Sequence, residues 1–357
     1  MFKQTFLLFS LFTSILSQPL DSQPLDSQPL IDENDIWNHF TTFQKRFQKV
    51  YTTIEDFETR FFIFKTNLDT IFHHNENHSH TFKMGINQFT DLTSYEFQEQ
   101  YLSGYKPMNR NKGSFGCKPF TNNTNIPVPD SIDWTTKNVV NPVRDQGQCG
   151  SCWAFATTAN AESVWAIATT QKQDQTQLLD LSEQYLVDCA TGIGYFNMGC
   201  NGGEPDSAFK YMINNGQYYE TDYPYTATSG TCKTKSKIPQ PALPKFSTCY
   251  DITPNDQIAL KAATAKNPVV VAIEADTRYF QSYSSGILTD FIKCGTNLDH
   301  AVEIVGYGRE NNIDYWKVRN SWSETWGENG YIRIQRTEST NDPGVCGVAM
   351  EPSFISV

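Results

Sequence analysis

The most informative segment of this chain is QGQCGSCWAF, residues 146–155. It leads from a glycine-containing turn into Ser151–Thr170, a stretch without Gly or Pro whose apolar residues predict a long buried helix. Cys152 then lies in the first turn of this helix, where unpaired backbone N–H groups and the helix dipole stabilise a thiolate. Cys152 is therefore a better candidate nucleophile than Cys149.

Two later segments supply the partners that such a thiol needs. A thiol of ordinary pKa is only slightly ionised at neutral pH, so a catalytic cysteine is paired with an imidazole. His300 stands at the start of a predicted strand, and Asn320 comes just after another. We expect His300 to accept the thiol proton and Asn320 to orient the ring. Alone, each residue is more typical of an ordinary buried side chain, but the combination indicates catalysis.

The chain beyond residue 127 changes from helical to β-type patterns. Residues Leu181–Cys189 and Pro205–Asn214 suggest two more helices after the long one. β-branched and aromatic runs then predict four strands, at 268–274, 301–307, 314–318 and 330–334. The fold class is therefore α+β, with a helical lobe, a sheet lobe and a cleft between them in which a site can form.

Aromatic residues at helical spacing precede this region. They predict two amphipathic helices between residues 37 and 75, the first with Trp37, Phe40, Phe43 and Phe47 on one face and the second with a stripe of Phe57, Phe61, Phe64, Leu68 and Ile71. Residues 104–129 are poor in large apolar side chains, which predicts an exposed linker with a domain boundary near 127.

Composition limits the classes of protein to which the chain can belong. Its 357 residues predict two domains or one large one, and a net charge of −11 argues against nucleic acid as a partner. Lys3 and the apolar residues 6–16 predict a secretory signal peptide at 1–17, with an uncleaved anchor as the alternative. The imperfect QPLDS repeat predicts a low-complexity spacer at 18–34. No later apolar run is long enough for a stable membrane span.

These motifs together resemble the precursor of a papain-like cysteine protease of the cathepsin L type. Besides the CGSCW segment, the resemblance rests on a GxNxFxD motif at 85–91, a GCNGG segment at 199–203, and an ERFNIN-type helix at Asp56, Arg60, Ile63, Phe64, Asn67, Ile71 and Asn75, with Asp56 where Glu is usual. It implies a papain-like two-lobed fold, with an N-terminal helical lobe and a C-terminal antiparallel sheet or barrel lobe, preceded by a small helical propeptide domain.

The resemblance also implies an organisation and an activity. An inhibitory propeptide domain is expected at 35–95, a linker through the cleft to the cleavage site at 96–127, and the peptidase domain at 128–357. The implied function is that of a cysteine endopeptidase made as a self-inhibited zymogen, acting on proteins and peptides without metal or cofactor. The implied protein is a monomer that is inhibited by its own propeptide, and it is kept in a lysosome-like or vacuole-like compartment or secreted.

Further roles follow from the resemblance position by position. Gln146 completes an oxyanion hole with the backbone N–H of Cys152, and Trp322 covers the hydrogen bond between His300 and Asn320. Substrate binding is assigned to Gly202, Gly203, Glu204, Pro205, Ala272, Leu298, Asp299, Ala301, Trp322 and Glu351. The mostly small and apolar walls favour a hydrophobic residue at P2, two before the scissile bond. Glu351 admits Arg there if it faces the pocket; the alternative is that it points to solvent.

The same resemblance implies three disulfides, Cys149–Cys200, Cys189–Cys232 and Cys294–Cys346. Secretion places the nine cysteines in an oxidising compartment, so most are expected to be paired, and their odd number leaves at least one free thiol. Cys117 and Cys249 are left open: they pair with each other, stay free or join other molecules.

Several features leave alternatives. Sequons predict glycans at Asn77 and Asn122, both before the peptidase domain. Four histidines between residues 73 and 80 favour a solvated cluster over a metal site. Two functions besides the endopeptidase stay open, namely an aminopeptidase of the cathepsin H type with a tethered propeptide fragment, and a non-catalytic relative that binds or inhibits.

Overall fold

A computed structural model describes residues 32–106, 115–121, 127–173, 178–233, 245–289 and 294–357. The predicted signal peptide, the whole repeat and the sequon at Asn122 lie outside the described residues. The helices are α1 (Glu33–Phe47), α2 (Ile54–Glu76), α3 (Ser94–Tyr101), α4 (Cys152–Gln173), α5 (Glu183–Cys189), α6 (Pro205–Asn215), α7 (Gln257–Thr264) and α8 (Arg278–Gln281). Among the described residues, no helix combines the length and apolar character that crossing a bilayer requires.

The described strands are β1 (Phe82–Met84), β2 (Lys118–Pro119), β3 (Ile132–Asp133), β4 (Thr248–Asp251), β5 (Val269–Ile273), β6 (Tyr283–Leu288), β7 (His300–Glu310), β8 (Ile313–Arg319), β9 (Tyr331–Gln335) and β10 (Ser353–Ser356). The four predicted strands correspond to β5, β7, β8 and β9, and the α+β fold is confirmed. The sequence patterns did not predict the short strands β1 to β4, nor β6 and β10.

One sheet contains these strands in the order β1-β6-β9-β8-β7-β5-β10-β4-β2, with β3 paired to β7 outside this path. Most neighbours are antiparallel, as expected, but β6 with β9 and β2 with β4 are parallel. The sheet is therefore mixed. Its two outer strands, β1 and β2, both come from the part of the chain before residue 127.

Helix α4 is the support on which the helical lobe is built. It packs against β7 and β10 on one side and against α5 and α6 on another, so its side chains are buried around almost the whole helix. Asn160 fastens it to the sheet: its Nδ2 donates to the carbonyl of Pro268 at 2.7 Å, and its Oδ1 accepts from the N–H of Ile355 at 3.0 Å. The first residue of α4, Cys152, is thereby held in place relative to β7.

The first two helices form an aromatic core of their own. Phe40 and Phe43 of α1 pack against Phe64 of α2 with ring centroids 5.1 and 5.0 Å away, and all three side chains are buried. Trp37, which lies on the same predicted helix face as Phe40 and Phe43, is 46% exposed. Its ring lies at the edge of this core, 5.6 Å from that of Phe61.

The end of α2 differs from the solvated histidine cluster predicted for it. His73 and His78 are exposed, but His74 is buried and its ring stacks on that of His80 at 4.2 Å. The same ring lies 4.3 Å from that of Phe82 in β1. The prediction is wrong for His74 because the last turn of α2 packs against the strand that follows it.

The segment 104–129 is not the wholly exposed linker that its composition predicts. Tyr105 and Cys117 are only 4% and 6% exposed. The chain first passes along the cleft between the lobes, where Tyr105 bridges to Gly203, and then adds β2 to the edge of the sheet beside β4. Few apolar residues are needed for this burial, because backbone pairing and a disulfide supply the contacts.

Four disulfides connect the chain. Three are those that the resemblance implies, Cys149–Cys200, Cys189–Cys232 and Cys294–Cys346, and the fourth joins Cys117 to Cys249. Cys152 is the free cysteine, and it is buried.

Asp91 connects the first two helices to the motif at 85–91. Its carboxylate is buried and accepts from Lys49 Nζ at 2.8 Å and from Tyr51 Oη at 2.9 Å, while its carbonyl accepts from Arg60 Nη1 at 3.0 Å. Hydrogen bonds to a buried charged group contribute about 1.5 to 3 kcal/mol each. This carboxylate therefore holds the helical segment in one arrangement.

We expect Asp91→Asn to loosen residues 32–106 by about 1 to 3 kcal/mol, since the amide keeps one acceptor but not the charge that Lys49 faces. The measurement is the rate of limited trypsin cleavage within this segment at neutral pH, in a Cys152→Ala background that prevents self-cleavage. Glu58→Gln, which neutralises an exposed carboxylate of α2, is the control. Equal cleavage rates in the two variants would show that Asp91 does not hold the segment.

Candidate active site

Cys152 begins α4 and lies at the bottom of the cleft. Its side chain is fully buried in the described structure, and its Sγ accepts a hydrogen bond from the backbone N–H of Ala301 at 3.3 Å. Ala301 follows His300 at the start of β7. The sulfur therefore lies where the first turn of a helix from one lobe meets the beginning of a strand from the other.

The sheet register brings His300 and Asn320 together. β7 and β8 are antiparallel with Glu303 opposite Arg319, so the first residue of β7 lies beside the residue that follows β8. His300 Nε2 and Asn320 Oδ1 are 2.7 Å apart. The indole of Trp322 stacks on the imidazole with ring centroids 4.6 Å apart at 22°, and all three side chains are buried.

Gln146 lies beside the same group and is fully buried. Its Oε1 accepts from the hydroxyl of Ser321 at 2.6 Å, which leaves the amide nitrogen directed the other way. That Nε2 donates to the carbonyls of Cys149 at 3.1 Å and of Tyr101 at 3.2 Å. Tyr101 is the last residue of α3, in the segment before residue 127. Its carbonyl therefore occupies Gln146 Nε2, the donor that, according to the resemblance, binds the oxyanion of a substrate.

Burial keeps both titrating groups of the site neutral. It raises the pKa of the Cys152 thiol to about 12, although the N–H of Ala301 acts in the opposite direction. It also lowers the pKa of His300 to about 4, although the hydrogen bond with Asn320 opposes this. Both shifts favour a neutral thiol and a neutral imidazole over an ion pair in the covered site.

A segment before residue 127 covers the sulfur with its backbone. At Gly104, a Cβ atom would lie 2.6 Å from Cys152 Sγ and 2.9 Å from the carbonyl carbon of Gly150, so only glycine fits there. The carbonyl of Gly104 accepts from the N–H of Gly203 at 3.0 Å, and the N–H of Lys106 donates to the carbonyl of Gly203 at 3.2 Å. The segment is bound as an extended strand.

Gly202 and Asp299 complete this backbone contact. A Cβ atom on Gly202, whose φ is +108°, would lie 2.7 Å from the carbonyl of Ser103. Asp299 accepts from the N–H of Tyr105 at 3.3 Å through its main chain. Its carboxyl group is instead bound to the N–H of Ala275 at 2.8 Å, and burial raises its pKa to about 8.

The Tyr105 side chain is buried in the same apolar cluster as residues that the resemblance assigns to the P2 pocket. It belongs to one buried apolar cluster with Ala272, Leu298, Ala301 and Cys152. Pro205 is also buried, whereas Glu204 is half-buried and Glu351 is exposed. The pKa of the Tyr105 hydroxyl is raised, mainly by burial and then by the carboxylates of Glu351 and Glu204. Both acidic groups therefore lie within electrostatic reach of Tyr105.

Sequence reasoning missed the residues that occupy the site. Tyr101, Gly104 and Tyr105 carry no motif, and they reach the cleft only because α3 ends beside Trp322. Phe89 of the motif at 85–91 and Phe97 of α3 pack edge-on against the Trp322 indole, at 5.4 and 5.2 Å. The signal that was available is a glycine followed by an aromatic residue, Gly104-Tyr105, in the segment expected to pass through the cleft.

Family comparisons agree with this geometry. The model of the papain family cysteine proteases matches residues 128–356, and the model of the cathepsin propeptide inhibitor domain matches residues 40–97. The chain is 45% identical over 306 residues to germination-specific cysteine protease 1 of Arabidopsis thaliana, covering 84% of this chain and 78% of that protein. It is 39% identical to thiol protease SEN102 of Hemerocallis, covering 90% and 86%.

Solved structures of precursors resemble the whole arrangement. Digestive procathepsin L2 proteinase from the larval midgut of Tenebrio molitor matches with a TM-score of 0.79 at 32% identity, covering 90% of this chain and 100% of that one. The recombinant stem bromelain precursor matches with a TM-score of 0.77 at 35% identity, covering 90% and 99%. The chain therefore belongs to the papain family of cysteine proteases, as a cysteine endopeptidase precursor with a cathepsin propeptide inhibitor domain.

Proposed function

We propose that Cys152 is the nucleophile, His300 the proton carrier, and Asn320 and Gln146 the groups that position the ring and bind the oxyanion. One observation carries this assignment: His300 Nε2 is bound to Asn320 Oδ1. The other ring nitrogen, Nδ1, is buried and has no hydrogen-bond partner among the described residues. It is therefore the nitrogen that remains to exchange a proton with the thiol.

The proposed reaction proceeds through an acyl-enzyme. The Cys152 thiolate forms a C–S bond to the carbonyl carbon of the scissile peptide, and the carbonyl electrons move to the oxygen, which Gln146 Nε2 and the Cys152 N–H stabilise. Collapse of this intermediate breaks the C–N bond, and His300 gives its proton to the leaving amine. Water, deprotonated by His300, then attacks the thioester carbon, the C–S bond breaks to release the carboxylic acid product, and His300 returns its proton to the sulfur.

We expect Cys152→Ala to lower kcat/KM for a peptidyl substrate by about 10⁴ or more after the propeptide has been removed. His300→Ala should have nearly the same effect, whereas Asn320→Ala should lose less because it only orients the ring. Processing of each precursor by an added protease, followed by assay of the purified product, provides the measurement. Substantial activity in Cys152→Ala would exclude it as the nucleophile.

The chain divides, in our proposal, into a signal peptide (1–17), a spacer (18–34), an inhibitory domain (35–95), a segment through the cleft (96–127) and the peptidase (128–357). The signal peptide and a glycan on the exposed Asn77 fit passage through the secretory pathway. An acidic lysosome-like or vacuole-like compartment and the cell exterior both remain compatible with it. Removal of the backbone over Cys152 frees the thiol and the imidazole to form their ion pair.

The contacts of Glu96 in α3 support a loss of inhibition by the propeptide at low pH. Partial burial opposes ionisation of Glu96, but its pair with Arg60 at 2.8 Å and the hydrogen bonds from Thr93 outweigh this and lower its pKa below the usual 4.5. A carboxylate with a lowered pKa stabilises the folded state above its unfolded pKa. This contribution is lost as pH falls below about 4.5.

Glu96→Gln should therefore release the inhibitory domain at a higher pH than wild type, because the ionised contact is absent at every pH. The dependence of precursor processing on pH between about 5 and 3.5 should also become shallower. Processing is followed by electrophoresis over a pH series. Glu99→Gln, on the same helix but exposed, should behave as wild type, and a Glu96→Gln profile that coincides with it would contradict the mechanism.

The P2 pocket supports a preference for hydrophobic residues and for Arg. Burial of a Leu or Phe against Ala272, Leu298 and Ala301 contributes about 1.5 to 3 kcal/mol. The effect of Glu351 on the Tyr105 hydroxyl supports a carboxylate at the mouth of the pocket, where it can pair with a guanidinium. An endopeptidase is also favoured over an aminopeptidase, since residues 118–119 pair with β4 and not with Gly203 or Asp299.

In the processed enzyme, we expect substrates with Arg at P2 to be cleaved within about tenfold of those with Leu, a difference of about 1.4 kcal/mol. Glu351→Ala should lower the Arg to Leu ratio of kcat/KM by selectively weakening the Arg substrate. Glu324→Gln, an exposed carboxylate just after Trp322, serves as the control. A ratio that Glu351→Ala leaves unchanged would mean that this carboxylate does not face the pocket.

A further inference from the structure

A disulfide crosses the boundary between the propeptide and the peptidase. Cys117 lies before the peptidase match, which begins at residue 128, and its partner Cys249 lies in β4, inside that match. The bond spans 132 residues of sequence. Hydrolysis of any peptide bond between 117 and 128 therefore leaves the two products covalently joined.

The residues around Cys117 pack on the peptidase, like a part of its sheet. Lys118 and Pro119 pair in parallel with Tyr250 and Asp251 of β4, and the N–H of Phe120 donates to the carbonyl of Asp251 at 2.7 Å. The Phe120 ring lies 5.7 Å from that of Phe354, edge-on. Removal of this segment would leave β4 as an open sheet edge.

The disulfide is protected from reduction by its surroundings. Cys117 and Cys249 are 6% and 1% exposed, so an external thiolate has little access to either sulfur. Burial of both sulfurs therefore slows thiol–disulfide exchange with an external thiol.

We propose that this disulfide makes activation a two-cut process and leaves the mature enzyme as a two-chain protein. A single cut near residue 127 does not free the cleft, because the inhibitory segment that ends at Lys106 stays tethered through Cys117. A second cut between Lys106 and Cys117 releases that segment, while residues around Cys117 remain on the sheet as strand β2. This inference rests on the zymogen assignment and adds to it the order in which latency is lost.

The physical reason is the effective concentration of a tethered inhibitor. Only about ten residues separate Lys106 from Cys117, and a tether this short keeps the inhibitory segment at about millimolar local concentration, whatever the concentration of the protein. An untethered propeptide leaves the cleft once the protein is diluted below its dissociation constant. The single-cut form with the disulfide intact is thus latent at any dilution, and the same form without the disulfide is not.

The test uses the full precursor with residues 122–126 replaced by the recognition sequence of a site-specific serine protease. The cut is made at neutral pH, the product is diluted from micromolar to picomolar, and peptidase activity per molecule is measured. The matched variant carries Cys117→Ser and Cys249→Ser. We expect at least a tenfold rise in specific activity on dilution of this variant, and no rise for the chain with the disulfide. An equal rise in both would overturn the proposal.

A second measurement does not depend on the folding of the double variant. The acid-processed wild-type enzyme is alkylated without reduction, digested and examined by mass spectrometry. A cross-linked peptide pair containing Cys117 and Cys249 is expected, together with a new N-terminus between residues 107 and 117. Alkylated Cys117, or a mature enzyme that lacks it, would overturn the proposal. Absence of activity from every form, including the acid-processed wild type, would instead reject the function on which it rests.

Discussion

The structure depends on one close contact: the backbone of the propeptide at Gly104 lies directly over the sulfur of Cys152, against the backbone of the peptidase. Gly104 can lie there only because it has no Cβ, and Gly202 and Gly203 leave the opposite wall equally bare. Backbone bonds of Gly203 and Asp299 then hold the extended segment at Gly104–Lys106. In our proposal a substrate is recognised by the same geometry, because the bonds use main-chain groups that every peptide has.

Burial by the propeptide acts on the chemistry as well as on access. Gly104 covers the Cys152 sulfur, and the burial of Cys152 and His300 in the precursor favours the neutral form of each over an ion pair. Trp322 couples the two effects. One face of its indole stacks on His300, while Phe89 and Phe97 of the propeptide pack against its edges. The inhibitory domain is thus anchored on the side chain that stacks on the imidazole of His300.

The propeptide segments also complete the sheet of the peptidase. β1 pairs with β6 at one end and β2 pairs with β4 at the other, so both edges of the sheet are covered by strands from before residue 127. The two edges differ in kind. β1 is held by noncovalent contacts, whereas β2 is joined to its neighbour by Cys117–Cys249. Pairing at both edges protects strands that would otherwise offer unpaired backbone groups.

The amino-acid sequence by itself determined the fold class, the long helix that begins at Cys152, the four main strands, and the identity of Cys152, His300 and Asn320 as a candidate set. These follow from hydrophobic periodicity, helix-start chemistry and spaced motifs, which are local properties of the chain. Only the tertiary structure decided that Gly104 covers the thiol, that Tyr105 is buried in one cluster with Ala272 and Leu298, that His74 is buried and that Cys117 pairs with Cys249. Each of these depends on which distant segments meet across the cleft and at the sheet edges, and contacts between distant segments leave no periodic pattern in the residues that make them.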